Sequence, residues 1–383
     1  MGVILPGSTL GILGGGQLGR MMAMAAREMG YRVRVLDPDP ECAARSVVEE
    51  VVTAAFDDVD AARDLASRCD VMTLEIEKVS TRVLDAVASV VPMRPGAHAL
   101  RVIQDRVLQR EFLVGAGLPV GPFRVATTKL ELSDAIDALG GRTFVKAATG
   151  GYDGRGQFQT TSRGDAEPAW ASLVAPGRES DRLLVEQEVA IEKEISVMVA
   201  RRPSGDVAAY PAAENHHVDR ILAWSTMPAR IPAHLARQAE ELARGAAEAL
   251  RIEGLLCAEL FVIGGTLLVN ELAPRPHNSY HASAIACGTS QFEQAVRAAC
   301  DLPLGSTAIH RPAAIVNLLG DAWAEGPPPF DRALELPGVR VHLYGKAPRP
   351  GRKMGHVSAC GSTTDEAVTL VQRAEARLLR RED

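Results

Sequence analysis

A chain of 383 residues is longer than one hydrophobic core usually organises, and with 46% hydrophobic and 23% charged residues it has an ordinary globular composition, so two or three domains are expected. The 42 basic and 48 acidic residues leave a net charge of −6, which argues against a broad nucleic-acid surface while allowing small anions held by a few local cations. Six scattered cysteines without a C-x-x-C pair argue against a zinc site or disulfide framework and read as buried thiols; no apolar run approaches the roughly 20 residues that span a bilayer and no leader pattern opens the chain, so a cytoplasmic protein without a membrane partner is expected.

The first predicted elements are a strand over Leu10 to Leu13, a helix over Gln17 to Met29 and a second strand from Arg32 to Leu36 that ends at Asp37, a βαβ unit. Its turn reads Gly14-x-Gly16-x-x-Gly19, with Asp37 about 20 residues on, the dinucleotide-binding fingerprint in its expected strand-turn-helix setting. A helix N-terminus behind such a turn offers unpaired N–H groups to an anion, so a phosphate site is expected without naming the phosphate's owner. Cys69 to Val79 reads as a third strand running into an acidic turn, where Glu75 and Glu77, two apart, would share a face and could bind an amine. A helix over Ala99 to Gly115 follows, with a domain boundary near residue 102.

From about 120 to 200 the pattern changes to short β-like runs, "FRVAT", "TFVKA", "LLVEQEV" and "EISVMVA", with one amphipathic helix near Leu130 to Leu139. Lys146 ends the strand "TFVKA" just before "GGYDGRGQ", whose glycines would let a loop carrying Tyr152, Asp153 and Arg155 close over phosphates and exclude water. Glu186 and Gln187 follow an apolar strand and Glu194 opens another; backbone at such an edge can read an adenine, and a later carboxylate a ribose. An Ala-rich helix is expected from Ala233 to Leu250.

Next comes "CAELFVIGGTLLVNEL", two apolar strands flanking Gly264-Gly265, hence a hairpin in which Glu259 and Glu271 stand where apolar residues would be expected. With a plain two-residue turn Glu259 would face Asn270 and Glu271 would point to the opposite side; a three-residue loop over Gly264 to Thr266, or one bulge, would bring the two carboxylates together. Facing carboxylates repel unless a cation lies between them, and Mg²⁺ accepts such hard oxygen ligands when phosphates complete its shell. Arg275, His277 and Asn278 lie just downstream in "APRPHNS", a planar fork for phosphate followed by two side chains able to donate without adding negative charge. A second boundary near 310 precedes a compact β-like end.

Taken in order, "GGGQLGRM", "QDR", "GGYDGRGQ", "VEQ", "EKEISV", "NELAPRPHNS" and "RPGRKMGH" closely resemble the 5-(carboxyamino)imidazole ribonucleotide synthetase family of ATP-grasp enzymes, over about residues 9 to 360. The resemblance implies an α/β and α+β chain: a Rossmann-like substrate-binding domain over 1–102, an ATP-grasp domain over 103–310 with its lid at about 120–190, and a small β-rich domain over 311–383. It implies ATP- and bicarbonate-dependent carboxylation of aminoimidazole ribonucleotide through carboxyphosphate in purine biosynthesis, by a homodimer. Another ATP-grasp carboxylase or a formate-using transferase is the alternative. A nicotinamide-dependent dehydrogenase, suggested by the fingerprint alone, leaves the paired glutamates without a purpose.

Carried over by position, Glu259 and Glu271 would hold Mg²⁺ (or Mn²⁺). Arg106, Lys146 and His217 would meet the phosphates of ATP, Glu186, Gln187 and Val189 its adenine, and Glu194 its ribose. Tyr152, Asp153, Arg155, Arg275, His277 and Asn278 would surround bicarbonate and the imidazole nucleotide. Gly15, Gly16, Gln17 and Leu18 would cradle the ribonucleotide phosphate, with Glu75, Lys346, Arg352 and Lys353 adding substrate contacts. The chain departs from the family pattern at Ile76 and Lys78, where Phe and Asn are usual, and at Tyr280 and Ala282, where Gly and Trp are usual.

Overall fold

The computed structural model describes residues 2–150, 156–174 and 182–380. Near the N-terminus, β1 (Thr9–Leu13), β2 (Arg32–Asp37), β3 (Glu50–Thr53) and β4 (Val71–Leu74) form a parallel sheet in the order β3-β2-β1-β4, with helix Gln17–Glu28 connecting the two strands of the expected βαβ unit. Every residue of β1 and β4 is buried, as a parallel sheet covered on both faces requires. The helix expected over Ala99 to Gly115 is instead two, Ala97–Gln104 and Arg106–Gly115. Asp105 breaks it: its backbone is extended and its carboxylate accepts the N–H groups of Val107 and Leu108, capping a new helix in place of continuing the old one.

The second sheet is antiparallel, with β5 (Phe123–Ala126), β6 (Thr143–Ala147), β7 (Gln157–Thr160) and β8 (Leu183–Gln187) in the order β5-β8-β6-β7. Two helices cover it, the expected one at Lys129–Ala138 and a second, Ala166–Leu173, that the sequence reading missed; both contribute to one core with Val145, Leu183 and Val185.

The third sheet has nine strands. These are β9 (Lys193–Arg201), β10 (Val207–Ala209), β11 (Ala213–Val218), β12 (Ile221–Met227), β13 (Gly254–Ile263), β14 (Thr266–Ala273), β15 (Ala313–Leu319), β16 (Arg340–Leu343) and β17 (Lys353–Cys360). Their order is β14-β13-β9-β11-β12-β15-β17-β16, with β10 on β9. The C-terminal strands thus continue the central sheet, because β12 pairs with β15 across about 90 residues of chain, a contact with no local signature.

Strand alternation divides this sheet between structure and chemistry. Ile195, Val197, Leu256, Ala258, Leu260 and Val269 pack on helix Ala233–Ala249 through Leu235, Ala239 and Ala243. Near the strand ends the other face turns polar, since register pairs Glu259 with Ser196 and Glu271, and Asn215 with Glu194. Further along that face Met198, Leu255 and Cys257 join a core with residues of helices Gln17–Glu28 and Gln291–Ala299, which fixes the N-terminal unit against the sheet.

Candidate functional site

The hairpin is the centre of the site. Its turn is two residues, Gly264 and Gly265, with φ of 55° and 74°, the left-handed pair that a tight hairpin favours; the three-residue loop does not form, and Ile263 pairs directly with Thr266. The carboxylates meet through the other route. Leu260 pairs with Val269 while Glu259 pairs with Glu271, so Asn270 is an extra residue, and this bulge turns Glu271 to the face that carries Glu259.

Around Glu271 lies a pocket lined by Arg106, Gln109, Arg110, Lys146, Leu184 and Asn270. Lys146 is positioned by register: Phe144 pairs with Glu186, so Lys146 lies diagonally across from Glu186 on one face, and its Nζ sits 2.6 Å from the carboxylate. Arg110 takes the other oxygen of Glu186 and donates to Val269 O at 2.9 Å and Asn270 O at 3.0 Å. Burial would raise the pKa of Glu186, but the charges of Lys146, Arg110 and Arg106 hold it below the ordinary carboxylate value. The side chain expected beside adenine is therefore engaged by two cations.

Sequence reasoning missed Arg110 and Asn270. Arg110 stands four residues after Arg106 on one helix, a spacing that places both on the same face. Asn270 could be assigned only by knowing where the bulge falls.

The remaining expected ATP residues divide. Glu194 and His217 come together, Oε2 to Nδ1 2.8 Å. Backbone N–H groups of Gln187 and Glu188 already donate to Pro122 O and Arg142 O, whereas the Val189 amide has no backbone acceptor among the described residues.

His277 connects this pocket to the second half of the cleft. Its Nε2 lies 3.0 Å from Glu259 Oε1 and its Nδ1 2.8 Å from Ser279 Oγ, which in turn meets Ser196 Oγ at 2.8 Å. Burial favours neutral forms of both partners, yet their neighbours override it: the His277 contact holds Glu259 down to about 2, and Cys257 first, with Glu259 after it, raises His277 to about 10. Glu271 is raised by its crowded surroundings and by the facing Glu259 charge, although its side chain is exposed along the cleft.

The second half is built on the glycine turn, and here one expectation is corrected. Two of the four residues expected to cradle a ribonucleotide phosphate have their amides taken by the chain's own carboxylates: Gly15 N–H donates to Asp37 Oδ2 at 2.7 Å and Gly16 N–H to Glu75 Oε1 at 3.0 Å, with Gly19 N–H on the other Glu75 oxygen at 3.1 Å. Gly16 must lack a side chain, since a Cβ there would lie 2.7 Å from Glu75 Oε1. The paired use of Glu75 and Glu77 on one face is corrected too. Glu75 turns into the glycine loop, while Glu77 binds Arg275 Nε at 2.7 Å. Burial raises Glu75 to about 7 despite its two amide donors.

The side chain of Gln17 donates to Asn278 Oδ1 at 2.9 Å and accepts from Lys346 Nζ at 2.6 Å. Burial lowers Lys346 to about 8, and the charges of Arg352 and Lys353 act in the same direction. Tyr152, Asp153 and Arg155 lie outside the described residues. Tyr280, where the family pattern has glycine, is fully buried, donates to Ser196 O at 2.8 Å and packs edge-on against Tyr210, so its departure is absorbed into the core.

The donor set fits a hard divalent ion: two facing carboxylates beside a cationic pocket, and among the described residues no group of three or more His, Cys, Asp or Glu side chains able to enclose a metal without help from a ligand.

Three family models match successive stretches of the chain. Residues 8–104 match the ribonucleotide synthetase preATP-grasp domain family, 111–292 the ATP-grasp domain family, and 313–369 the phosphoribosylaminoimidazole carboxylase C-terminal domain family. The chain is 42% identical to an N5-carboxyaminoimidazole ribonucleotide synthase of Brucella melitensis over 92% of this chain and 96% of that one. It is 39% identical to that of Bacillus subtilis over 95% and 94%. A crystal structure of the Aspergillus clavatus N5-carboxyaminoimidazole synthase with ADP and 5-aminoimidazole ribonucleotide superposes with a TM-score of 0.87, at 32% identity, covering 98% of this chain and 99% of that one.

Proposed function

This chain belongs to the N5-carboxyaminoimidazole ribonucleotide synthase family of ATP-grasp enzymes, and from that premise we propose how its cleft carries out the family reaction. The protein is an ATP-dependent carbon–nitrogen ligase that carboxylates aminoimidazole ribonucleotide in purine biosynthesis. The observation that carries the assignment of roles is the pairing of Glu259 with Glu271 at the wall of a pocket that also holds Arg106, Arg110 and Lys146.

Glu259 and Glu271 would hold Mg²⁺ or Mn²⁺, which supplies positive charge to the phosphates of ATP when bound. Arg106 and Lys146 face the same space and bind phosphate oxygens. Lys146 is held ready on Glu186, so an arriving triphosphate competes for a cation that is already ordered. Glu194 and His217 bind the ribose and phosphate end, and Val189 the adenine.

Bicarbonate is the carboxyl donor in this reading. One of its oxygens takes the γ-phosphoryl group and ADP departs, giving carboxyphosphate; the exocyclic amine then forms a bond to the carboxyl carbon, the carbon–oxygen bond to phosphate breaks, and the amine gives up one proton. Arg275, His277 and Asn278 line the space between the ATP pocket and Gln17. An imidazolium at His277, held by Glu259, faces the anionic reactants without adding negative charge. Exclusion of water falls to the loop bearing Tyr152, Asp153 and Arg155.

The ribonucleotide lies across Gln17, Asn278, Lys346, Arg352 and Lys353, and its phosphate is bound by these side chains in preference to the amides already capped by Asp37 and Glu75. Domain divisions near 102 and 310, a homodimeric state and a cytoplasmic location complete the proposal; no helix among the described residues is long and apolar enough to cross a membrane. The test is ADP release measured with ATP and Mg²⁺, with and without aminoimidazole ribonucleotide and bicarbonate, with formate as a control. Release that needs both substrates supports the reading; release supported equally by formate overturns the bicarbonate assignment.

A further inference from the structure

Behind the ribonucleotide end of the cleft lies a polar cluster with no part in the chemistry above. His281 and His356 are each only 1% exposed, and their rings stack at 4.3 Å with 11° between planes. His342 extends the stack, 4.7 Å from His356. Fully buried Tyr344 sets its hydroxyl 2.7 Å from His356 Nδ1 and 3.3 Å from His281 Nε2. Polar rings are costly to bury, and apolar rings of the same size would fill this space at lower cost.

Hydrogen-bond direction gives the reason for them. Lys346 Nζ can only donate, so Gln17 Oε1 accepts and Gln17 Nε2 must donate to Asn278 Oδ1. Asn278 Oδ1 takes a second donor, His281 Nε2 at 3.3 Å, which fixes the proton on that nitrogen. His281 Nδ1, buried and without a partner among the described residues, is then a bare lone pair. The Tyr344 hydroxyl donates to His356 Nδ1 and receives a share of the His281 Nε2 proton. Finally, Lys346 Nζ lies 5.4 Å from the centre of the Tyr344 ring, which closes the circuit. Burial holds both imidazoles neutral, as this pattern requires, with His281 lowered to about 3.

We propose that Tyr344, His281 and His356 are positioning residues: the circuit they complete fixes Gln17, Asn278 and Lys346 relative to one another and thereby sets the affinity for the ribonucleotide. The proposal rests on the carboxylation reading for the identity of that ligand. Gln17, Asn278 and Lys346 come from three distant stretches of chain, and the hydrogen bonds of this circuit join all three.

The test is Tyr344→Phe, which keeps the ring and its face toward Lys346 and removes only the hydroxyl. Calorimetric titration with aminoimidazole ribonucleotide should show a Kd raised about five- to tenfold, as loss of one well-placed hydrogen bond implies. The KM for the ribonucleotide should rise in step while that for ATP stays within about twofold. His356→Ala should repeat this pattern, and His356→Asn, which returns a polar atom near the Nδ1 position, should recover most of the affinity. Equal ribonucleotide Kd in Tyr344→Phe and wild type overturns the proposal, as does a fall in kcat with both KM values unchanged, the mark of a smaller folded fraction. Ribonucleotide binding by the wild type without turnover would overturn the reaction and leave this role standing; no binding by the wild type overturns both.

Discussion

Glu259 pairs with Glu271 across the hairpin because Asn270 is an extra residue in one strand. Two like charges on adjacent strands destabilise a sheet, and after desolvation the facing Glu259 charge is what raises the pKa of Glu271. Glu271→Gln is therefore expected to leave the fold intact, with a Tm in the absence of nucleotide equal to or above that of the wild type, while ADP release falls at least about a hundredfold through loss of one charge facing the phosphates. Circular dichroism and the ADP assay together check this, and turnover near the wild-type level would remove the metal assignment.

Arg110 is buried and donates to Glu186 and to two backbone carbonyls, Val269 O and Asn270 O. Arg110→Met should lower stability by about 3 kcal/mol, since it strands those acceptors and removes half the compensation of a buried carboxylate. Urea unfolding measures it. A loss below about 1 kcal/mol would mean that Lys146 alone satisfies Glu186.

Lys346 has a pH signature. Its folded pKa of about 8 lies below the ordinary 10.5, so between those values the unfolded chain carries a proton that the folded chain does not. Wild-type stability, compared with Lys346→Met, should rise from pH 8 to 10.5 by at most about 2 kcal/mol after allowance for partial exposure. Below pH 8 the difference should be flat. Affinity for the anionic ribonucleotide should move the other way, falling above pH 8 as the ammonium discharges, and Lys346→Arg should abolish that fall. A pH-independent Kd between 7 and 9.5 would contradict the contact.

Gly19 lies where helix Gln17–Glu28 passes closest to the turn, and a Cβ there would sit 2.5 Å from Gly14 O. Gly19→Ala should cost about 1–3 kcal/mol in spite of alanine's better helix propensity, because backbone has to shift and the Gly19 amide then leaves Glu75. Thermal unfolding tests this, and a stabilised variant would show that the turn yields freely.

The first strand, glycine turn, helix and second strand were legible in the sequence because their signals are local: a short apolar run, glycines at fixed offsets and a helical period over one segment. What the turn's local signal could not show is that Asp37 and Glu75 arrive from the ends of two other strands to take the amides of Gly15, Gly16 and Gly19. Residue alternation alone left the faces of Glu259 and Glu271 open; the bulge at Asn270 decides them, and a bulge has no composition of its own. The ring cluster of His281, Tyr344 and His356 could not be read at all, because its members come from segments that only tertiary packing brings together. The same is true of the join between β12 and β15, which runs the C-terminal strands into the central sheet.

That join has a mechanical consequence. Glu271 on β14 and Lys353 at the start of β17 belong to one hydrogen-bonded sheet, so the spacing between them is a gauge cut into backbone by strand order and register. Lys146 and Glu186 sit on a different sheet. The pocket around Glu271 is thus shared between two separately hydrogen-bonded sheets, and its width is set by side-chain packing where its length is set by backbone register.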